Sequence, residues 1–193
     1  MIPELIKRTR TVRRFQESRP IAPAELRELV ELARFGGSAR NCQPLRFLIV
    51  TEQQRRELIF PHLGWAGYLA DWPGPAAGER PTAYIVCLLV RDRLAGSERE
   101  AYCDLGIATQ NILLGAAEKG IFGCRIGSFS ARLAVELAID DSQQILLVLA
   151  LGYPAEQVVL EELPADGSIR YWRDAAGVHH VPKRSLEDII VMG

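Results

Sequence analysis

The sequence is poor in the residues from which metal and nucleophile sites are usually built. It has only 3 histidines and 4 cysteines among 193 residues. The cysteines stand at 42, 87, 103 and 124 with no CxxC pair, and two of the histidines, His179 and His180, are adjacent. Zinc needs ligands at short regular spacings, and these are missing, so no metal is expected. An extended 179–180 stretch would point the two rings to opposite faces. Without a disulfide frame the thiols are expected to be reduced and packed. Long apolar runs are also absent. The longest, Ala83 to Val90 and Ile145 to Leu151, fall far short of the roughly 18 residues that cross a bilayer, so no membrane partner is expected. Neither sign of charge is in excess: 23 Lys and Arg stand against 24 Asp and Glu, a net of −1. A dedicated nucleic-acid binder needs a basic face backed by a basic total, so that class is set aside. The opening Met1-Ile2-Pro3-Glu4 carries an acid and no apolar leader core, which points to a cytoplasmic protein. GxSxG, GxxxxGK and GxGxxG are all missing, which removes the nucleophile elbow, the phosphate loop and the dinucleotide fingerprint.

What is present suffices for one domain. The 48% of hydrophobic residues can bury a sizeable core, and the length suits a single unit spanning 1–193. Ile2, Leu5 and Ile6 give a short helix over 2–8. Pro23 opens a second helix, with Leu26, Leu29, Val30 and Ala33 at helical spacing and Gly36-Gly37 as its stop. Phe47 to Thr51 reads as a strand, and Thr51 with Gln54 as a capping box for a helix running to about Leu63. Residues 64–82, dense in Gly, Pro and Trp, form a loop: either a pocket wall or a structural plug built on Trp65 and Trp72. Ala83 to Val90 is a strand buried on both faces. Ser97 with Glu100 caps a long helix ending at Lys119 and Gly120, apolar nearly all round. Gly106 and Gly115 inside it cost about 1 kcal/mol each against Ala, which implies close backbone packing at both. A strand over Ile121 to Gly127, a helix near 131–138 and a strand over Gln144 to Gly152 follow. The 155–193 arm reads as extended and polar, with Ser185 capping a last turn. Strands interleaved with helices indicate a three-layer domain.

Four segments could carry chemistry. Arg8 to Phe15 holds Arg10, Thr11 and Arg13, whose forks and hydroxyl suit a phosphate; a solvated basic surface is the bland alternative. Ser38, Asn41 and Gln43, between a helix and a strand, offer donors and acceptors for the edge of a heteroaromatic ring. The glycines of Gly120 to Ser128 would let the backbone approach a flat ligand. Lys183-Arg184 is a second cationic pair. No acid–base or nucleophilic dyad is evident. Arg40, Cys42 and Cys124 lie near these segments, with a packed thiol the plainer reading of Cys124.

The order of these segments resembles the FMN-dependent nitroreductase family. Thr9-Arg10-Thr11-Val12-Arg13-Arg14-Phe15 matches the family's Arg-Arg-Ser-x-Arg-x-Phe, and Ser38-Ala39-Arg40-Asn41-Cys42-Gln43-Pro44 its Ser-x-x-Asn-x-Gln-Pro. Asp104-Leu105-Gly106-Ile107-Ala108-Thr109-Gln110-Asn111 matches Asp-x-Gly-x-Ala-x-Gln-Asn, and Ala150 to Pro154 also looks like the family's. The resemblance implies an α+β, three-layer fold with a mixed, mainly antiparallel sheet, in an entwined homodimer. It implies FMN held at its phosphate by Arg10, Thr11 and Arg13, with Lys183 and Arg184 nearby. It implies Ser38, Asn41 and Gln43 from the partner subunit on the ring and ribityl chain, and Gly127 and Ser128 beside the reactive N5. The implied reaction is ping-pong hydride transfer from NAD(P)H to a small electron-poor acceptor, a nitroaromatic or quinone. Flavin or nucleotide binding without turnover, dehalogenation and flavin breakdown stay open as alternatives. The chain departs from the pattern at Thr9, Gly37, Leu45 and Ser128, and over 55–82.

Overall fold

The computed structural model describes all residues, 1–193. The chain runs α1 (Ile2–Arg8), α2 (Pro23–Arg34), β1 (Leu45–Val50), α3 (Gln53–Ile59), β2 (Ala83–Val90), α4 (Glu98–Glu118), β3 (Phe122–Ile126), α5 (Arg132–Glu136), β4 (Gln143–Gly152), β5 (Val158–Glu162), β6 (Trp172–Arg173) and β7 (His179–Lys183). Four strands form the central sheet in the order β1-β2-β4-β3, every pair antiparallel. The chain therefore has the expected α+β, mainly antiparallel architecture. Parallel pairing is confined to a bridge between Thr11 and Gly123 and to β5 with β7.

β2 shows why three layers form. It is apolar at every position, so both of its faces need cover. Ala83, Ile85, Cys87 and Leu89 join the core beneath α2 and α4, which includes Leu26, Leu29 and Ile112. Tyr84, Val86 and Leu88 face the other way, onto Ile59 of α3 and Leu133 of α5. α4 lies across the first face and contacts both edge strands, β1 and β3. Its first turn is fixed by the Glu100 carboxylate, which accepts the Ser97 N–H at 2.9 Å. Its end is marked by Gly120 at φ +74°. No helix is long and apolar enough to cross a membrane.

Several expectations need correction. α3 begins one residue later than the Thr51–Gln54 pattern implies: Glu52 is its N-cap, without a side-chain bond. The Thr51 carbonyl accepts Arg56 Nε instead, at 3.0 Å. Of the two glycines in α4, only Gly115 is crowded. A Cβ there would lie 2.2 Å from Leu32 Cδ1, whereas one on Gly106 would meet nothing within 4 Å. Cys87 and Cys124 are buried, but Cys103 is exposed. The 155–193 arm is not merely extended, because β5, β7 and β6 form a second sheet within it. Ser185 does accept the Asp188 N–H at 3.2 Å in a closing turn.

Candidate functional site

The basic segment lies along β3. Thr11 bridges Gly123, and the Val12 N–H donates to the Gly123 carbonyl at 3.1 Å. Arg10 donates from Nη2 to the Ile6 carbonyl at 2.7 Å, while its Nε is buried with no partner. It makes no ion pair, and burial lowers its pKa from the ordinary arginine value. The Thr11 residue is exposed. A cavity of about 170 Å³ opens beside them, lined by Arg8, Arg10, Val12, Phe122 and Glu156 among others. An unpaired, partly desolvated guanidinium beside a free hydroxyl suits an anion.

Arg13 and Arg14 turn elsewhere. The Arg13 guanidinium stands 3.3 Å from His179 Nε2 and 4.9 Å from the centre of the Tyr171 ring. Arg14 forks onto the Glu79 carboxylate, which sits below its usual pKa in consequence. Sequence reasoning missed the group that orders both. The Glu156 side chain, itself buried, accepts the backbone N–H groups of Arg13 and Arg14 with one oxygen and Arg173 Nη2, at 2.7 Å, with the other. It ties the N-terminal segment to the C-terminal sheet. Lys183 and Arg184 lie at the opposite end of β7 from His179, about 13 Å along the strand. Both are exposed and make no ion pair.

The Ser38–Gln43 loop is built on a second buried carboxylate. Asp104, in the first turns of α4, accepts the Ser38 hydroxyl at 2.6 Å and the Ala39 N–H at 2.9 Å. Ser38 Oγ in turn accepts the Gln43 N–H at 2.9 Å. Gln43 Nε2 bonds Asn41 Oδ1 at 3.0 Å. Arg40, Asn41 and Gln43 have φ of +53°, +54° and +50°. Each such non-glycine residue costs about 1–3 kcal/mol, and such strain gathers at functional sites. The Asp104 bonds and an ion pair from Arg40 to Glu100 at 3.0 Å hold the shape. Beside this loop, between α2 and β1, is a cavity of about 490 Å³ lined by Ser38, Gln43, Phe47 and Arg34 among others.

At the other end of β3 from Thr11, Gly127 and Ser128 are exposed. The Ser128 carbonyl accepts the Gly64 N–H at 2.8 Å, which brings the 64–82 loop alongside. That loop packs Trp65 edge-on to Trp72 at 6.5 Å. It leans on the second sheet through Trp72 under Arg173 at 4.2 Å and Tyr68 against Tyr171 at 4.9 Å. Burial pushes the Cys124 thiol above its usual pKa, so it is held as thiol rather than as a nucleophilic thiolate. Cys42 is half-buried.

The structure therefore gathers seven of the ten expected site residues into two groups and leaves Arg13, Lys183 and Arg184 outside both. Arg10, Thr11, Gly127 and Ser128 lie along edge strand β3. Ser38, Asn41 and Gln43 precede β1, the opposite edge. α4 lies between them: Arg8 Nη2 donates to the Ala117 carbonyl near its C-terminal end, and Asp104 holds Ser38 near its N-terminal end. Those thirteen residues span about 20 Å of helix.

The chain is thus a three-layer α+β domain with these motifs on both edges of its central sheet. The sequence model of the Nitroreductase family matches residues 6–153. The chain belongs to the nitroreductase family. It is 28% identical over 159 residues to a Methanothermobacter thermautotrophicus protein named as an NADH dehydrogenase/NAD(P)H nitroreductase, covering 79% of this chain and 77% of that one. Its fold resembles a Desulfovibrio desulfuricans protein, named as a nitroreductase and solved in complex with FMN. The two share 21% identity and a TM-score of 0.73, over 100% of this chain and 96% of the other. It also resembles the NADPH:FMN oxidoreductase of Vibrio harveyi, solved with NAD+, at 24% identity and a TM-score of 0.66, over 85% and 74% of the chains.

Proposed function

We propose that the protein is an FMN-dependent oxidoreductase using NAD(P)H to reduce an electron-poor acceptor such as a nitroaromatic or quinone. It would act as a homodimer. The observation that carries this reading is the layout of β3. An unpaired cation and a free hydroxyl, Arg10 and Thr11, stand at one end, and the exposed backbone of Gly127 at the other. From Gly123 to Gly127 is about 13 Å of strand, a span suited to a ligand with a phosphate at one end and a flat ring at the other. Bound FMN would supply the two-electron chemistry, accepting hydride from NAD(P)H and delivering it to the second substrate. The chain's own part is to bind the phosphate through Arg10 and Thr11, with Lys183 and Arg184 as further cations. Gly127 and Ser128 would present backbone to the ring, and Ser38, Asn41 and Gln43 of the opposite subunit would complete the site. Likeness to an FMN-bound fold over the whole chain supports the reading.

The test is direct. Purified protein should be yellow or become so with FMN, and its flavin absorbance should bleach on adding NADH or NADPH without air. A nitroaromatic or quinone should then restore the colour. A protein that takes up no flavin would sink the reading. Flavin that neither dinucleotide can reduce would make this a binding protein instead.

A further inference from the structure

β6 is two residues long, and its ladder to β7 is only the pairs Trp172–His180 and Arg173–His179. So short a strand has too few backbone bonds to hold its place alone. Yet the stretch 170–173 supports the middle of the 64–82 loop. Tyr171 Oη accepts the Tyr68 N–H at 3.3 Å, and Arg170 and Arg173 lie over the Tyr68 and Trp72 rings at 5.5 and 4.2 Å. Something besides the ladder must fix β6.

His180 supplies it. Its side chain, 15% exposed, stands between two carboxylates. Nδ1 faces Glu161 Oε1 of β5 at 2.5 Å, and Nε2 faces Asp174 Oδ2, in the turn after β6, at 3.4 Å. The Trp172 ring covers the imidazole at 4.0 Å, 7° from parallel. Asp174 also closes that turn, because its Oδ1 accepts the Val178 N–H at 2.9 Å and its carbonyl the Gly177 N–H at 3.0 Å. A carboxylate only accepts, and a neutral imidazole has a single N–H to give. The neutral ring therefore sets one carboxylate against a nitrogen lone pair. The imidazolium donates to both and rests on an indole face that attracts cations. Neighbouring charges are engaged elsewhere. Arg14, beside Gly177, pairs with Glu79. Arg173 and His179 take the opposite face of the sheet, toward Glu156 and Arg13. Glu162 and Lys183 alternate to that face as well and are exposed.

We propose that His180 is a pH-operated latch: its imidazolium ties β6 and the following turn to β5 and β7, and loss of the ring proton frees them together with the 64–82 loop that rests on β6. The hydrogen bond to Glu161, more than that to Asp174, holds the ring's pKa above its ordinary 6.5. The latch is therefore closed at lower pH and opens as pH rises through the raised value. The Gly64 N–H donates to the Ser128 carbonyl at 2.8 Å, so the loop that is freed borders the end of β3. The latch itself does not depend on FMN binding there.

The experiment follows the full chain from about pH 5.5 to about pH 9, across the histidine range. NMR of the His180 ring gives its midpoint. Amide hydrogen exchange, corrected for its intrinsic pH dependence, reads local opening. The ring's midpoint should lie above 6.5. Protection at Asp174, Gly177, Val178 and Tyr68 should fall about fivefold through that midpoint, the upper end for a part-exposed ion pair, while β2 and β4 stay unchanged. Glu161→Gln keeps the shape and an acceptor oxygen but not the charge. It should move the ring's midpoint and the loss of protection to lower pH together. His180→Gln should leave the same amides weakly protected at every pH; if it does not fold, the parent and Glu161→Gln carry the test. A ring midpoint at or below 6.5 overturns the inference, as does protection that stays level through the midpoint. Loss of protection that keeps the parental midpoint in Glu161→Gln would place the trigger in another group, and overturns it too.

Discussion

Two buried carboxylates decide where the site residues stand. Glu156 serves three donors at once, two backbone N–H groups and the Arg173 guanidinium. Removing one partner of a buried pair leaves the other charged and dry, at about 3–5 kcal/mol. Glu156→Ala should therefore lower unfolding stability by about that amount in a urea titration, and Glu156→Gln by less. A loss under about 1 kcal/mol would show that water or another group takes over the three donors. Neither carboxylate was legible beforehand. Asp104 was visible only as a letter in a motif, because its partners lie 65 and 66 positions away, and those of Glu156 up to 143. Local spacing carries no information at that range. Arg10 and Thr11, by contrast, could be singled out because hydroxyl and guanidinium neighbours are a local pattern. That Arg13 would turn inward to His179 could not be read, since it depends on where β7 packs.

At the level of elements, legibility followed apolar periodicity. β2 was plain because it is apolar throughout, and α4 because its apolar residues recur at helical spacing along its length. The small C-terminal sheet was not, because its strands are held by other means. Trp172 stacks on His180 at 4.0 Å, and Glu161 and Asp174 flank that histidine. His179, on the opposite face of β7, is buried against Arg13 and Tyr171. Burial first, then the Arg13 and Arg173 charges, lower its pKa from 6.5 to about 4. The folded state thus binds fewer protons than the unfolded chain between those values. Its contribution, on the order of 2–3 kcal/mol, is intact above pH 6.5 and is lost as pH falls toward 4. His180 is shifted the opposite way, upward by Glu161 and then Asp174, so its contribution is present at low pH and fades as pH rises. His179→Phe should flatten the acid side of the stability profile between pH 6.5 and 4; an unaltered slope would mean the ring titrates normally. The two α4 glycines make a contrasting pair. Gly106→Ala adds a Cβ that no atom of its own chain meets within 4 Å, and should raise stability by about 0.5–1 kcal/mol in thermal unfolding at concentrations where the chain is monomeric. Gly115→Ala drives one onto Leu32 and should lower it. Equal effects would show that the crowding at Gly115 relaxes freely.

For the whole molecule, the proposed homodimer turns on the separation of the two site groups. A single chain offers Arg10 and Thr11 on the β3 edge and Ser38, Asn41 and Gln43 before the β1 edge. Three strand spacings, about 14 Å, and the body of α4 stand between them. On the proposed reading, one flavin that touches both groups would draw them from two chains, related by a two-fold axis that would create two equal sites. The exposed side of α4, with Tyr102, Cys103, Gly106 and Ile107, would supply a face for such a contact. An Arg10→Ala homodimer would carry two damaged sites, and so would an Asn41→Ala homodimer. Co-refolding equal amounts should give about half heterodimers, each with one doubly changed site and one untouched, so about a quarter of all sites recover parental FMN affinity. Were both groups to serve a ligand within one chain, every site in the mixture would carry one change and none would recover. That outcome, with heterodimers confirmed by two distinguishable tags, would rule out the shared site while leaving FMN binding by the parent intact.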